Sequence, residues 1–186
     1  MIIAQEKRKE NIAEYLLYMW QVEDLIRAFN LDIERIQSEI INHYGVDDKT
    51  RAEIRDWYES LIEMMKLEDK KISGHLQINC NTIIRLTDLH IRLLNSSKFP
   101  NYSAVYYQTL PLIVELRSKM PQDRQVGEIE TCFNALYGVL VLKLKGESIS
   151  DETLRAVAQI SQLLSLLSAY FLKDETSPLF DGENDL

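Results

Sequence analysis

The sequence predicts an all-α fold, a single-domain antiparallel helical bundle of about six to seven helices. Three observations lead there. Only 6 glycines and 4 prolines punctuate 186 residues, which leaves little room for a turn-rich β architecture. Apolar residues recur every three or four positions in the long segments, and no stretch shows the alternation of a half-buried strand. The hydrophobic fraction of 46% and charged fraction of 27% are those of an ordinary globular chain, long enough to bury a core without disulfides or a metal. Residues 1–173 read as one helical domain. Residues 174–186 read as an acidic, flexible tail in which Leu179 and Phe180 are able to dock on the body.

The first helix is expected from about Ala4 to Phe29, with Asn30 as its stop. Its stretch Ile12 to Phe29 is the densest apolar and aromatic run near the start, and its apolar positions cover an arc of about 220°. Glu23 and Arg27 fall inside that arc, whereas Glu14, Gln21 and Asp24 lie on the wet side. Their i,i+4 spacing, acid first, suits an intrahelical ion pair. They form either a structural pair with snorkelling ends or the polar floor of a pocket.

A second helix follows from Leu31 to Tyr44, capped by Asp32, with His43 in its last turn before Gly45. Asp47 or Asp48 caps a third, which carries Ile54, Trp57, Tyr58, Leu61 and Met65, with Glu68 next in the same spacing; its other face mixes both charge signs and is solvated. After Ser73-Gly74 a fourth helix runs from His75 to about Leu94. It buries Leu76, Cys80, Ile83, Leu86, Ile91 and Leu94, and turns Asn79, Thr87 and His90 into the same sector. Two long helices carrying polar groups inward suggest a shared interior network.

The clearest loop is NSSKFPNY, Asn95 to Tyr102. Beyond it, Tyr102, Tyr106 and Tyr107 either line a pocket mouth or close the bundle end. Pro111 is expected to kink or break the helix from Ser103 to Met120. A sixth helix, about Gln122 to Lys145, is apolar nearly all round between Asn134 and Leu142, which places it centrally or in a subunit interface. Gly138 is expected to permit close approach of another backbone. Ser150-Asp151-Glu152 opens the last helix. Its seam of Ala158, Ser161, Ser165, Ser168 and Ala169 is the expected mate of Gly138, leaving Leu163 and Leu166 for a second subunit. The first, fourth, sixth and seventh helices should supply most of the core.

The net charge of −8 argues against nucleic acid and against an anionic membrane surface, both of which need a local excess of Lys and Arg. Lys7, Arg8 and Lys9 sit beside Glu6 and Glu10 and read as a solvated helix start. Cys80 and Cys132 read as small buried hydrophobes of a reducing compartment. The start, MIIAQEKRKEN, lacks the apolar core of a secretion signal, and the apolar run near Ala135 to Leu142 is far short of the roughly 20 residues of a membrane span. A cytoplasmic location is therefore expected, with no membrane partner.

No phosphate loop, GxSxG elbow, CxxC or HExxH is present. His43, His75 and His90 lack the paired Glu-x-x-His pattern of di-iron bundles, and Glu39 with His43 is one pair alone, so no metal or cofactor is expected and no catalytic set is assigned. Glu23 is the carboxylate best placed for acid–base work, with Arg27 and His90 as neighbours.

The blocks MIIAQEKRKENIAEYLLYMWQVEDLIRAF, YGVLVLKLKGESIS and ISQLLSLLSAYF resemble a bacterial, all-helical family of domains of unknown function, over essentially the whole chain. The resemblance implies a single helical domain and carries no residue roles. Two functional readings follow. One is a cytoplasmic, self-associating interaction or structural protein, a homodimer. The other is a small-molecule-binding bundle or cryptic enzyme, with Glu23, Arg27, Asn79 and His90 around an interior pocket and Tyr102 and Tyr106 at its mouth.

Overall fold

The structure, a computed structural model, describes residues 2–122 and 125–180. All regular structure among the described residues is helical. In chain order the helices are α1 (Ile2–Glu10), α2 (Ile12–Ala28), α3 (Ile33–Glu39), a 3₁₀ turn (Ile41–His43), α4 (Asp48–Leu67), α5 (Gln77–Asn95), α6 (Pro100–Ser118), α7 (Glu128–Leu144) and α8 (Asp151–Thr176). The chain forms two compact units. The first comprises Met1–Lys9 with Glu14–Thr82, the second Glu10–Ala13 with Ile83–Leu186, and the boundary passes through α5.

The expected first helix is two. Asn11 Oδ1 accepts the Ala13 N–H at 3.0 Å, a local side-chain bond that competes with helix propagation and starts a new helix instead. α2 ends where Asn30 and Leu31 adopt φ of 55° and 59°, and the Leu31 N–H returns to the Ile26 carbonyl at 2.9 Å, as in a Schellman closure. Asp32 caps α3, accepting from the Glu34 and Arg35 N–H groups at 3.0 and 3.3 Å. That helix is shorter than expected, because the chain tightens into the 3₁₀ turn after Ile40 and leaves His43 exposed. Asp47 caps α4 through the Thr50 N–H at 2.8 Å. The first unit buries Leu16, Met19, Trp20 and Ile26 of α2, Ile36 of α3, Tyr58, Leu61, Ile62 and Met65 of α4, and Leu76.

In the second unit, α5 buries Ile83, Leu86, Leu89 and Leu93, whereas Ile91, expected inside, is 50% exposed. Leu86, Leu89 and Leu93 follow the three-and-four spacing of one stripe, and Ile91 falls off it. α6 opens with Pro100 in its first turn, where the missing N–H costs nothing. The expected break at Pro111 is absent: α6 is one helix to Ser118. Pro111 is exposed, so its ring projects away from the core while it withholds only the bond to the Tyr107 carbonyl.

α7 begins at Glu128, later than expected, and buries Ile129, Thr131, Cys132, Phe133 and Val139. Gly138 is exposed and a Cβ there would meet nothing within 4 Å, so the expected close backbone approach does not occur. α8 is capped by Ser150, whose Oγ accepts the Thr153 N–H at 3.2 Å. Its buried face is Ile160, Leu163, Leu164, Leu167, Ser168 and Phe171. The expected small-residue seam faces largely outward, with Ala158, Ser165 and Ala169 exposed, and Leu163 is inside rather than spare. Burying a leucine yields about 1.5–3 kcal/mol and a serine or alanine far less, so the leucines win the core. α6, α7 and α8 pack against one another.

α8 continues past Lys173, and Asp174 and Glu175 pair with Arg92 and Arg85 at 3.2 and 2.9 Å. Phe180 does dock, with its ring 5.4 Å from that of Phe99 and the Arg92 guanidinium 4.1 Å above it. The rest of the predicted tail, from Asp181, lies outside the described residues. Among the described residues no helix is long and apolar enough to cross a membrane.

Replacing Pro111 with Ala should raise the urea midpoint, by about 1 kcal/mol or more in stability, because it restores one α6 hydrogen bond. The gain is smaller than the full penalty of an interior proline because proline also restricts the unfolded chain.

Candidate functional site

Glu23 sits on α2 among apolar neighbours, and its side chain has no exposed surface. Three donors satisfy it. Oε1 accepts the Leu76 N–H at 2.9 Å and Asn79 Nδ2 at 2.7 Å, and Oε2 lies 2.6 Å from His75 Nδ1. A carboxylate buried without such partners would cost several kcal/mol. Leu76 immediately precedes α5, so Glu23 acts as an N-terminal cap supplied from 53 residues away, and its negative charge faces the positive end of the helix dipole. Glu68 adds a second bond of this kind, accepting the Gln77 N–H at 2.7 Å. Trp20, one turn before Glu23, stacks on the His75 ring with centroids 4.0 Å apart and planes at 12°. Asn79 is fully buried, and its Oδ1 has no hydrogen-bond partner among the described residues.

Arg27 does not answer Glu23. Its Nη1 pairs with Asp24 at 2.8 Å, its Nε donates to the Lys70 carbonyl at 3.2 Å, and its Nη2 donates to the Gly74 carbonyl. The predicted i,i+4 ion pair is replaced by an i,i+3 pair and two bonds to the α4–α5 connection. That connection also requires left-handed backbone, with Asp69 at φ 55° and Gly74 at φ 83°. Glu23 and Arg27 together thus hold the connection against α2.

The other predicted site residues gather in the second unit. His90, 5% exposed, shares a hydrogen bond of 2.6 Å between Nδ1 and the Tyr102 hydroxyl. The Tyr106 ring stands edge-on to His90 at 4.9 Å, and its hydroxyl donates to Glu128 Oε2 at 2.7 Å. Arg117 lies 3.8 Å from Glu128. Tyr107, in contrast, is 63% exposed. Burial holds the His90 pKa below its ordinary value, partly offset by the charge of Glu128. Burial likewise raises the Tyr102 and Tyr106 phenols, so both stay protonated donors, and it pushes the Cys132 thiol up to about 12. A thiol so raised is not an activated nucleophile. The six candidates therefore belong to two groups, Glu23, Arg27 and Asn79 in the first unit and His90, Tyr102 and Tyr106 in the second.

A third feature was not legible in the sequence. A groove of about 440 Å³ lies between α6, α7 and α8, floored by Leu112, Leu116, Ala135, Val139, Ala156 and Ile160 and rimmed by Glu115, Lys119, Glu152 and Arg155. Its residues come from three segments, and no periodicity marks them as neighbours. His75 was also missed as a partner of Glu23. No local spacing marks a residue 52 positions away as its partner. Among the described residues no three His, Cys, Asp or Glu side chains converge as metal ligands would.

An all-α protein with two internal polar clusters and an apolar groove is the class these observations define. The model of the family described as Domain of unknown function (DUF4924) matches residues 1–177, and the chain belongs to that family. No curated protein and no solved structure matches it.

Two predictions follow from the clusters. Glu23→Ala should cost about 3–5 kcal/mol, since three donors lose a buried acceptor, and chemical denaturation reads the loss directly. For His90, the folded-state pKa is depressed, so as pH falls below about 6.5 the unfolded chain binds the proton first and stability declines. The urea midpoint should therefore drop between pH 7 and 5, and His90→Phe should flatten part of that slope.

Proposed function

We propose that the protein is a self-associating interaction or structural protein, and that the outward faces of α6 and α7 form its contact surface. The observation that carries this reading is that α6 is apolar on two faces. One face is buried through Tyr102, Val105, Tyr106, Thr109 and Ile113. The other presents Tyr107 at 63% and Val114 at 56% exposure, with Pro111 between them at helical spacing. α7 carries Leu142 at 41% exposure and, on a different side of the helix, Leu144 at 71%. Exposed apolar residues that share one helix face, as Tyr107, Pro111 and Val114 do, favour an interaction site. Tyrosine in particular is enriched at the centre of interfaces. The contact residues thus differ from Leu163 and Leu166, which sequence spacing nominated.

The groove supports a second reading, a small apolar ligand held between α6, α7 and α8. Its volume lies within the range of ligand pockets, about 300–1,000 Å³, and it combines an apolar floor with a few charged rim groups. Native mass spectrometry of the protein as purified separates the two. A homodimer that Tyr107→Glu with Val114→Glu converts to monomer, the helical circular dichroism unchanged, supports self-association. A monomer at micromolar concentration contradicts it, and a retained small-molecule mass lost on Ala156→Trp would favour the groove.

A further inference from the structure

We infer that His75 is a phosphoryl-accepting site, with Nε2 as the acceptor atom and Glu23 as the residue that prepares it. This stands apart from self-association, since it uses only residues of the first unit. His75 is bonded through one edge of its ring: Nδ1 is 2.6 Å from Glu23 Oε2. An ionised carboxylate only accepts, so in its bond to Glu23 Oε2 the Nδ1 atom is the donor and carries the proton. The neutral imidazole in that tautomer has its lone pair on Nε2. Among the described residues Nε2 has no hydrogen-bond partner, and 25% of the side chain is exposed. The stack on Trp20 holds the ring plane.

A histidine oriented at one nitrogen by a buried carboxylate and open at the other has the arrangement of an activated base or nucleophile. Formation of an Nε2–phosphorus bond places a positive charge on the ring, and the fixed Glu23 carboxylate stabilises it without reorganisation. The same α4–α5 connection carries a cation, Lys70. The Lys70 side chain folds over Gly74, its Nζ 3.6 Å from where a Cβ would stand at that residue, and Gly74 directly precedes His75. The donor class is an acyl phosphate or a phosphoramidate. With phosphoramidate, the Nε2 lone pair forms the N–P bond while the donor's P–N bond breaks, and its nitrogen, already protonated, leaves as ammonia. The Nδ1 proton stays in its bond to Glu23.

His43 provides an internal comparison, being an exposed histidine in the 3₁₀ turn. The folded protein is incubated with phosphoramidate at neutral pH, and sites are mapped by mass spectrometry under alkaline conditions that preserve phosphohistidine. His75 should be modified at least tenfold faster than His43, as an acid-labile adduct, and His75→Asn should abolish that adduct. Glu23→Gln should bring the His75 rate down to that of His43 where circular dichroism shows the fold retained. Should that variant unfold, the ratio of His75 to His43 rates in the unaltered protein decides alone. Equal rates at the two histidines, no adduct at His75, or a rate indifferent to Glu23→Gln in a folded variant would overturn the proposal.

Discussion

A carboxylate with no exposed surface sets the terms for the first unit. Glu23 lies in the apolar face of α2, where an unsatisfied charge would be worth several kcal/mol against folding, so the chain must bring donors to it. Those donors are the Leu76 amide, the Asn79 side chain and the His75 ring, and all three belong to the short stretch in which α5 begins. The start of that helix is therefore fixed by a residue more than fifty positions earlier, not by a cap of its own. Arg27 completes the constraint from one turn further along α2 by holding the Lys70 and Gly74 carbonyls.

Local rules were legible in the sequence wherever the partner is close in the chain. Asp32, Asp47 and Ser150 cap the helices predicted for them, and the inward positions of Glu23, Asn79 and His90 were visible on a helical wheel. What each inward group bonds to was not. The i,i+4 spacing favoured Arg27 for Glu23, yet Asp24 and two carbonyls compete successfully for its guanidinium. His75 reaches Glu23 across the α4–α5 connection, whose backbone is left-handed at Asp69 and Gly74. The small-residue seam of α8 failed for a different reason. Spacing alone cannot weigh apolar areas, and Ile160, Leu163, Leu164 and Leu167 gain more from burial than Ala158, Ser165 and Ala169 do. Pro111 shows the same limit, since an exposed ring on a packed helix costs one hydrogen bond without ending the helix.

The second unit combines a closed interior with an open exterior. Inside it His90 bonds to Tyr102 and Tyr106 donates to Glu128, and burial lowers the His90 pKa and raises those of the two phenols. Tyr107, Val114, Leu142 and Leu144, in contrast, are exposed. The exposed apolar surface of α6 and α7, and not the interior polar pairs, is where a second molecule would dock under the proposed self-association.

The most direct measurement of the account is amide hydrogen exchange at Leu76. Amides at the start of a helix, that of the residue just before it included, have no intrahelical acceptor and exchange readily unless something else binds them. If the buried Glu23 carboxylate holds this N–H, as its 2.9 Å bond requires, Leu76 should be protected to the level of amides in the middle of α5. Exchange at the rate of an open helix terminus would contradict it, and with it the idea that Glu23 sets where α5 begins.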